Sequence, residues 1–580
     1  MRSQRRVRLI SRYPVLSGAS WLFAAGALLW SAAYFASAQT GPLSKRFADT
    51  ILQSGARDNT SWNEDIGLQL EGLDAAWYNT ANGDYFRHVK AKVDAVLAAD
   101  APIGATGMTA NTLFARQLLL LYRVTLDPKY YKAAAAIRAQ LARACDSPST
   151  SPDTICTAGP FLAEYASVFQ EPEEFANITR GFEKWDRTAP WPSPKAEEAN
   201  LKNTSIAWLA ASLVDALPYY PEEDPERARL TTILTRIANT AAQHQNQSTG
   251  LFGKSSNSLP HLAIASSQAC LLAYALAKGV RLGYLPTEDS KRAVKAWQAL
   301  SKSYLNADSD FVPSPGSGAL LLASTELDLA PTATLARGQT VLLDAWYNSQ
   351  QRKNAGGQTE YFHYKWLDRS DSGYALLAHM FQSYGAATET LYSAPTDDSL
   401  RKSQYYIIVS PDIPVKNPNP HYMTGQDAEQ IAAWVKDGGI LILFENDPPN
   451  ADLTHLNLLA DKFGIHFDDV LHHHILGEHV EDGRMAVDGN GPLFHHPHAL
   501  YMKDTCAISL SGPAVALFRD RGDVVMASAK YGRGTVFASV DPWLYNEYTD
   551  GRKKPEIYDQ FDNFAGGQEL VQWLLQRRPH

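Results

Sequence analysis

Two kinds of hydrophobic patterning divide the chain. Between residues 60 and 330 apolar positions recur at helical spacing, and short acidic turns break the runs. One device repeats: a helix ends, an Asp, Glu or Pro turn follows, and a new helix starts beside an aromatic or apolar residue. It occurs around Thr80, Asp84 and Tyr85, around Thr125, Asp127 and Tyr130, and around Gln170, Glu171 and Phe175. It returns around Tyr220, Glu222 and Arg227, and around Leu285, Glu288 and Ala293. The spacing, roughly 45 to 60 residues, corresponds to one helical hairpin per repeat. Hydroxyl and carboxylate side chains at these turns accept from the free N–H groups of the next helix. The helix before a turn is the more apolar (Gln117 to Tyr122), and the helix after it carries more charge (Tyr131 to Arg138). Buried inner helices and half-exposed outer ones are therefore expected. A closed ring and an open solenoid share this pattern.

After Pro331 the period changes. Thr340 to Trp346, Tyr405 to Pro411 and Ile440 to Phe444 read as buried strands. Gly373 to Gly385 and Asp427 to Lys436 read as helices, the second ending at Gly438-Gly439. Strands alternating with helices imply a mostly parallel sheet with covered faces. Val524 to Ser528 and Gly534 to Ala538 flank Tyr531-Gly532-Arg533 as a hairpin, and a helix from about Gly567 to Leu575 closes the chain. The expected domains are residues 55–330 and 335–580, separable folds with a boundary near 329–338.

Composition changes this picture little. Of 580 residues 45% are hydrophobic and 20% charged, which supports sizeable cores. The 13 Trp and 27 Tyr suit a core and equally suit sugar stacking. A net charge of −9 offers no basic surface for nucleic acid. The first residues matter more. Arg2, Arg5, Arg6, Arg8 and Arg12 precede an apolar stretch from Pro14 to Phe35, and Ala36-Ser37-Ala38 fits a cleavage site before Gln39. Residues 1–38 are expected to be a signal peptide, and the protein to be exported to a periplasmic or extracellular space. A retained membrane anchor is the alternative, since the stretch is about long enough to span a bilayer.

Cys145 and Cys156 flank a short polar loop, and in an oxidising compartment they are expected to pair. Cys270, in an apolar run, reads as buried and inert. No cysteine spacing suggests structural zinc, and no metal or cofactor is expected. His472, His473, His474, His479, His495, His496 and His498 crowd one segment. No helical spacing orders them as ligands, so a solvated loop is the simpler expectation beside a metal site.

Several stretches of the helical half resemble glycoside hydrolase family 105, the unsaturated rhamnogalacturonyl hydrolases related to family 88. They are Ala158 to Ala166, Trp208 with Leu213 to Pro218, Tyr274 to Leu285, and Gly316 to Ala323. The resemblance implies an all-α toroid of six helical hairpins. It also implies hydrolysis of oligosaccharides that end in a 4,5-unsaturated uronic acid. In that reaction an Asp protonates the enol-ether double bond and assists addition of water, and the hemiketal formed then collapses. One carboxyl group serves as acid and then base, so the carboxylate pair of ordinary glycosidases is not required. The family's key Asp, six residues before the Gly of its Gly-Pro-Phe motif, falls on Asp153. A turn residue or helix cap after Pro152 is the other reading of that position. Asp186 and Trp208 are expected to line the sugar site. The sequence departs from the pattern at Ala110, Thr204 and near Ala265, and Lys184-Trp185-Asp186 lacks the family's His. A catalytically inactive carbohydrate-binding or scaffold protein is thus the alternative, with an ordinary glycosidase using another carboxylate pair a lesser third.

The second half is similar to the class I glutamine-amidotransferase-like domain that some family 105 proteins carry. The similarity rests on Phe362 to Trp366, Ser372 to Tyr374, Trp434 to Gly439, Tyr531 to Gly534 and Asp541 to Glu547. It implies an α/β fold. Cys506 is the only cysteine there, without the strand-to-helix elbow a nucleophile needs. A binding or structural role is expected. The expected partner is an oligosaccharide; the sequence sets no oligomeric state.

Overall fold

A computed structural model describes residues 41–54, 60–99, 108–145, 152–188, 204–252, 259–304, 316–477, 479–542, 544, 547 and 549–577. The side chains of 142–145, 152–156, 204–205, 259–266 and 303–304 are outside that description. The expected signal peptide, the Cys145–Cys156 pair and the Asp153 side chain therefore lie outside the described residues.

Residues Leu43–Leu329 are helical hairpins. Six inner helices, α2 (Glu64–Thr80), α4 (Met108–Thr125), α6 (Pro152–Val168), α8 (Thr204–Ala216), α10 (Leu259–Arg281) and α12 (Ser317–Leu329), pack each against the next. The last also packs against the first, so the ring is closed. Around it run α1 (Leu43–Gln53), α3 (Gly83–Ala98), α5 (Pro128–Cys145), α7 (Glu173–Thr188), α9 (Pro225–His244) and α11 (Thr287–Tyr304).

The turn chemistry of the repeats is as the sequence suggests. Ala81 and Leu126 end inner helices in the left-handed region (φ 53° and 58°), and Asn82 and Asp127 then accept from the N–H groups of Asp84 and Lys129. The hairpins are also stitched sideways. Tyr85 donates to Asp49 at 2.7 Å, and one hairpin later Tyr130 donates to Asp94 at the same distance. Closure comes from close packing of α12 on α2. A Cβ on Gly318 would lie 2.6 Å from the Asp65 carbonyl oxygen, and the Asp65 carboxylate accepts from the N–H groups of Gly316 and Gly318 at 3.0 and 3.1 Å.

The second half is built on a nine-stranded sheet. Five strands run parallel in the order β4 (Ala387–Leu391), β1 (Thr340–Asp344), β5 (Tyr405–Val409), β6 (Ile440–Phe444), β13 (Gly534–Ser539). The sheet continues antiparallel through β12 (Asp523–Tyr531), β10 (Thr505–Leu510) and β7 (Ile465–His472), with β11 (Ala514–Asp520) on β12. β5 and β6 are buried at every residue, which is why they read as unbroken apolar runs. Helices α13 (Ala375–Gln382), α14 (Gly425–Lys436) and α15 (Asn563–Leu575) follow the expected segments. Two small hairpins, β2 (Gln351–Lys353) with β3 (Thr359–Tyr361) and β8 (Arg484–Val487) with β9 (His498–Tyr501), stand off the sheet.

The two halves share a polar interface at the carboxyl ends of the inner helices. Arg369 pairs with Asp74 at 2.6 Å and donates to the Tyr78 hydroxyl at 2.9 Å. Arg123 donates to the Leu367 carbonyl at 2.7 Å, and the Trp77 indole to the Asp550 carbonyl at 3.0 Å. Arg552, paired with Glu547 and Asp550, lies 4.5 Å from the Trp77 ring centre. Gly83 and Gly551 meet backbone to backbone, where a Cβ on Gly83 would come within 2.4 Å of the Gly551 Cα. The α/β half thus seals one end of the ring. The amino ends of the inner helices form the other end.

Candidate functional site

Each inner helix presents one stripe to the ring's axis. The central cavity is lined by Leu68, Leu113, Arg116, Thr157, Pro160, Trp208, Ser212, Asp215, Leu271 and Leu322 among others, so all six contribute. On α8 the lining residues Trp208, Ala211, Ser212 and Asp215 fall at i, i+3, i+4 and i+7, a single helical face.

The stripes carry two polar levels. The deeper one is an ionic floor. Arg116 pairs with Glu71 at 2.8 Å and with Asp215 at 3.0 Å. Asp215 also accepts from Lys278 at 2.7 Å and from the Tyr274 hydroxyl at 2.6 Å, and Gln117 donates to Glu71 at 2.8 Å. Burial pushes the Glu71 carboxyl up to about 7 despite the guanidinium beside it. Burial would raise Asp215 too, but Lys278 and Arg116 hold it below the usual carboxylate range. The enclosed space above this floor is about 10 Å³, the room of about one water.

The upper level lies toward the helix amino ends. Glu64 and Glu71 are two turns apart on α2, about 10 Å along the axis. Glu64 is exposed on one edge, but crowding by protein and then the Asp65 charge raise its carboxyl, against a hydrogen bond from the Trp208 side chain. Asp65 is raised by burial, although N–H groups of α12 bond to it. Glu64 and Trp208, on opposite sides of the ring, are thereby brought together.

Of the three residues expected to form the site, Trp208 lines the cavity, while Asp153 is in the first turn of α6 with its side chain outside the described residues. Asp186 sits elsewhere. It is on outer helix α7, buried, and pairs with Arg236 of outer helix α9 at 2.6 Å. The structure does not bring it to the axis. The pattern reading missed Glu64, Glu71 and Arg116, and it took Asp215, Tyr274 and Lys278 only as parts of packing motifs. A signal was present: isolated ionisable residues inside apolar inner helices need buried partners.

Most histidines of the crowded segment are paired one by one with a carboxylate. His472 meets Asp523, His473 meets Asp520 and Thr505, His474 meets Asp504, and His498 meets Asp562, all within 3.0 Å. Among the described residues no group of three side chains could hold a metal ion. Cys506 is buried on β10, and burial followed by the Glu445 charge raises its thiol well above the usual value.

Residues 40–320 match the family model of Glycosyl Hydrolase Family 88. Solved structures similar to this chain include a glycoside hydrolase of family 105 from C. acetobutylicum, at 20% identity. It covers 50% of this chain and 99% of its own, with a TM-score of 0.41. A glycosyl hydrolase of family 88 from Bacteroides vulgatus is similar at 17% identity, covering 50% of this chain and 97% of its own, with a TM-score of 0.41. The family 88 match runs from before α1 to the start of α12 and supports a glycoside hydrolase.

Proposed function

We propose that this glycoside hydrolase is exported and acts on oligosaccharides ending in a 4,5-unsaturated uronic acid, with Asp153 as the general acid. The observation that carries the proposal is a register on α6. Thr157 and Pro160 line the cavity, and Asp153 precedes them by one turn and two turns on the same helical stripe. That register supports a position toward the amino ends of the inner helices, the end that also carries Glu64 and Trp208.

In this scheme the Asp153 carboxyl gives its proton to the vinyl carbon, and the resulting carboxylate draws a proton from the water that adds next door. The hemiketal formed then opens and releases the rest of the chain. Trp208 offers a ring face for the sugar. The ionic floor is already paired within itself, so it fixes the depth of the site rather than taking part in proton transfer. Sugar binds above it, toward the amino ends of the inner helices.

Glu64 supports a second reading. Its carboxyl is raised, it faces Trp208, and a raised carboxyl is what a general acid needs. The test compares kcat for Asp153→Asn, Glu64→Gln and Asp186→Asn on an unsaturated disaccharide. The proposal expects a drop of about 10²–10⁴-fold in the first alone. Full activity in Asp153→Asn with loss in Glu64→Gln transfers the role to Glu64.

The α/β half is proposed to be amidotransferase-like in ancestry and structural in role, sealing the far end of the ring. Residues 1–38 are proposed to direct export, which N-terminal sequencing beginning at or near Gln39 checks.

A further inference from the structure

A second concavity lies between the two halves, at the sealed end of the ring and away from the cavity described above. Its volume is about 210 Å³. That is below the ~300–1,000 Å³ of sites for larger ligands, and it suits a single small ring. The β2–β3 hairpin overhangs it and is pinned to the helices. The Ala355 N–H donates to the Tyr122 hydroxyl at 2.8 Å, Gln170 donates to the Thr359 carbonyl at 2.5 Å, and Asn354 donates to the Val168 carbonyl at 3.4 Å. The crevice is thus part of the folded chain's architecture.

Its lining combines two features. The first is exposed apolar surface. Of the twelve most exposed large apolar side chains among the described residues, four line this crevice, including Tyr361 (38% exposed) and Tyr392 (54%). The two tyrosine rings stand 4.9 Å apart and are mutually tilted. The second feature is balanced charge. Arg352 pairs with Glu360 at 2.6 Å, and Arg123 pairs with Glu164 at 2.6 Å behind the wall. Arg369, also in the lining, pairs with Asp74 at 2.6 Å, and buried Lys365 donates to Asn348 and the His363 carbonyl, so every cation of the lining is already engaged within the protein and none is left over to draw an anion. An Arg–Glu pair side by side still offers donors and acceptors together, the combination that vicinal hydroxyls use.

We propose that this crevice is a second saccharide site, which takes one neutral sugar ring, its C–H face on Tyr361 and Tyr392 and its hydroxyls on Arg352 and Glu360. The choice of a sugar rests on the chain's being a glycoside hydrolase; the choice of a neutral one rests on the pairing of the charges. Affinity for one ring is expected to be weak, about 1–10 mM.

The test is saturation-transfer NMR on the full chain with glucose, galactose and mannose in turn, and with glucuronate as the charged counterpart. These are saturated monosaccharides, so binding is read whether or not the central cavity hydrolyses unsaturated substrates. The proposal expects a signal from at least one neutral sugar. That signal should fall at least about fivefold in Tyr361→Ala/Tyr392→Ala and persist in Trp208→Ala, and the tyrosine variant should keep wild-type turnover of an unsaturated disaccharide. No signal from any neutral sugar at 10-fold the expected dissociation constant overturns it. So does a signal lost in Trp208→Ala but kept in the tyrosine variant, and so does stronger binding of glucuronate than of every neutral sugar.

Discussion

Replacing Arg116 with Met removes the cation at the centre of the cavity floor while keeping much of its volume. Breaking a buried ion pair by deleting one partner typically costs about 3–5 kcal/mol. Two features of this site lower the figure. Asp215 keeps Lys278 at 2.7 Å and the Tyr274 hydroxyl at 2.6 Å, so it stays compensated. Glu71 already titrates at about 7 and keeps Gln117, so near neutral pH it takes up a proton at little expense. A loss of about 2–3 kcal/mol at pH 7 is expected. For a cooperative unit of this size it corresponds to roughly 5–10 °C in Tm.

The pH dependence follows from the direction of the shift. Losing Arg116 raises the folded-state pKa of Glu71 further above its unfolded value. The folded variant then binds a proton that the unfolded chain has released, and its stability falls as pH rises. The gap between variant and wild type should therefore widen from pH 5.5 to pH 8.5 in thermal melts. Glu71→Gln added to Arg116→Met should close most of it at the higher pH. A variant within about 0.5 kcal/mol of wild type at every pH, or a gap widest at low pH, refutes the account of the floor.

Arg369→Met should destabilise the intact chain by about 3 kcal/mol, because Asp74 loses its partner at 2.6 Å and the Tyr78 hydroxyl loses a donor; calorimetry of the full chain checks this. Gly83→Val should be destabilising out of proportion to its position in a helix's first turn, since its side chain would run into the Gly551 backbone, whereas Gly283→Ala, with open space around it but a φ of 82°, should cost only about 1 kcal/mol. His379 donates to Asn79 at the interface, and burial followed by the Arg281 charge lowers it to about 3. The unfolded chain takes up that proton below about pH 6.5 and the folded chain does not, so stability is lost as pH falls, by about 1.4 kcal/mol at pH 5.5. His379→Asn should show that much less loss between pH 7 and 5.5.

The sequence made the helical hairpins legible because their signals are local. The Asp127 cap, the apolar run Gln117 to Tyr122 and the charged run Tyr131 to Arg138 lie within a few turns of one another. The strand Ile440–Phe444 was equally legible, since a strand covered on both faces must be apolar throughout. Closure of the ring was not, because it depends on Gly318 meeting Asp65, residues far apart in the chain whose short-range context is ordinary. β4 escaped notice for a different reason. Its sequence Ala387–Leu391 is polar and only half-buried at the sheet's edge, so it lacks the apolar run of its neighbours.

The same distinction governs the site. Trp208 was legible from its place in a motif on an inner helix. Asp186, three residues after Glu183 on a charged amphipathic helix, belongs to the outer ring, where a carboxylate finds an arginine on the next outer helix. The resemblance of Lys184-Trp185-Asp186 to a site segment had no helical phase behind it. The floor was hidden because Glu71, Arg116, Asp215 and Lys278 come from four different inner helices. Only the ring places them together.

The central claim is tested most directly by the ultraviolet absorbance of the conjugated double bond when the purified full chain meets oligosaccharides freshly cut by a polysaccharide lyase. The account predicts that the absorbance decays with enzyme, that the decay is lost in Asp153→Asn, and that saturated oligosaccharides of the same composition are left intact. Persistence of the absorbance across unsaturated uronides of every available linkage, with wild-type chain folded, would contradict it.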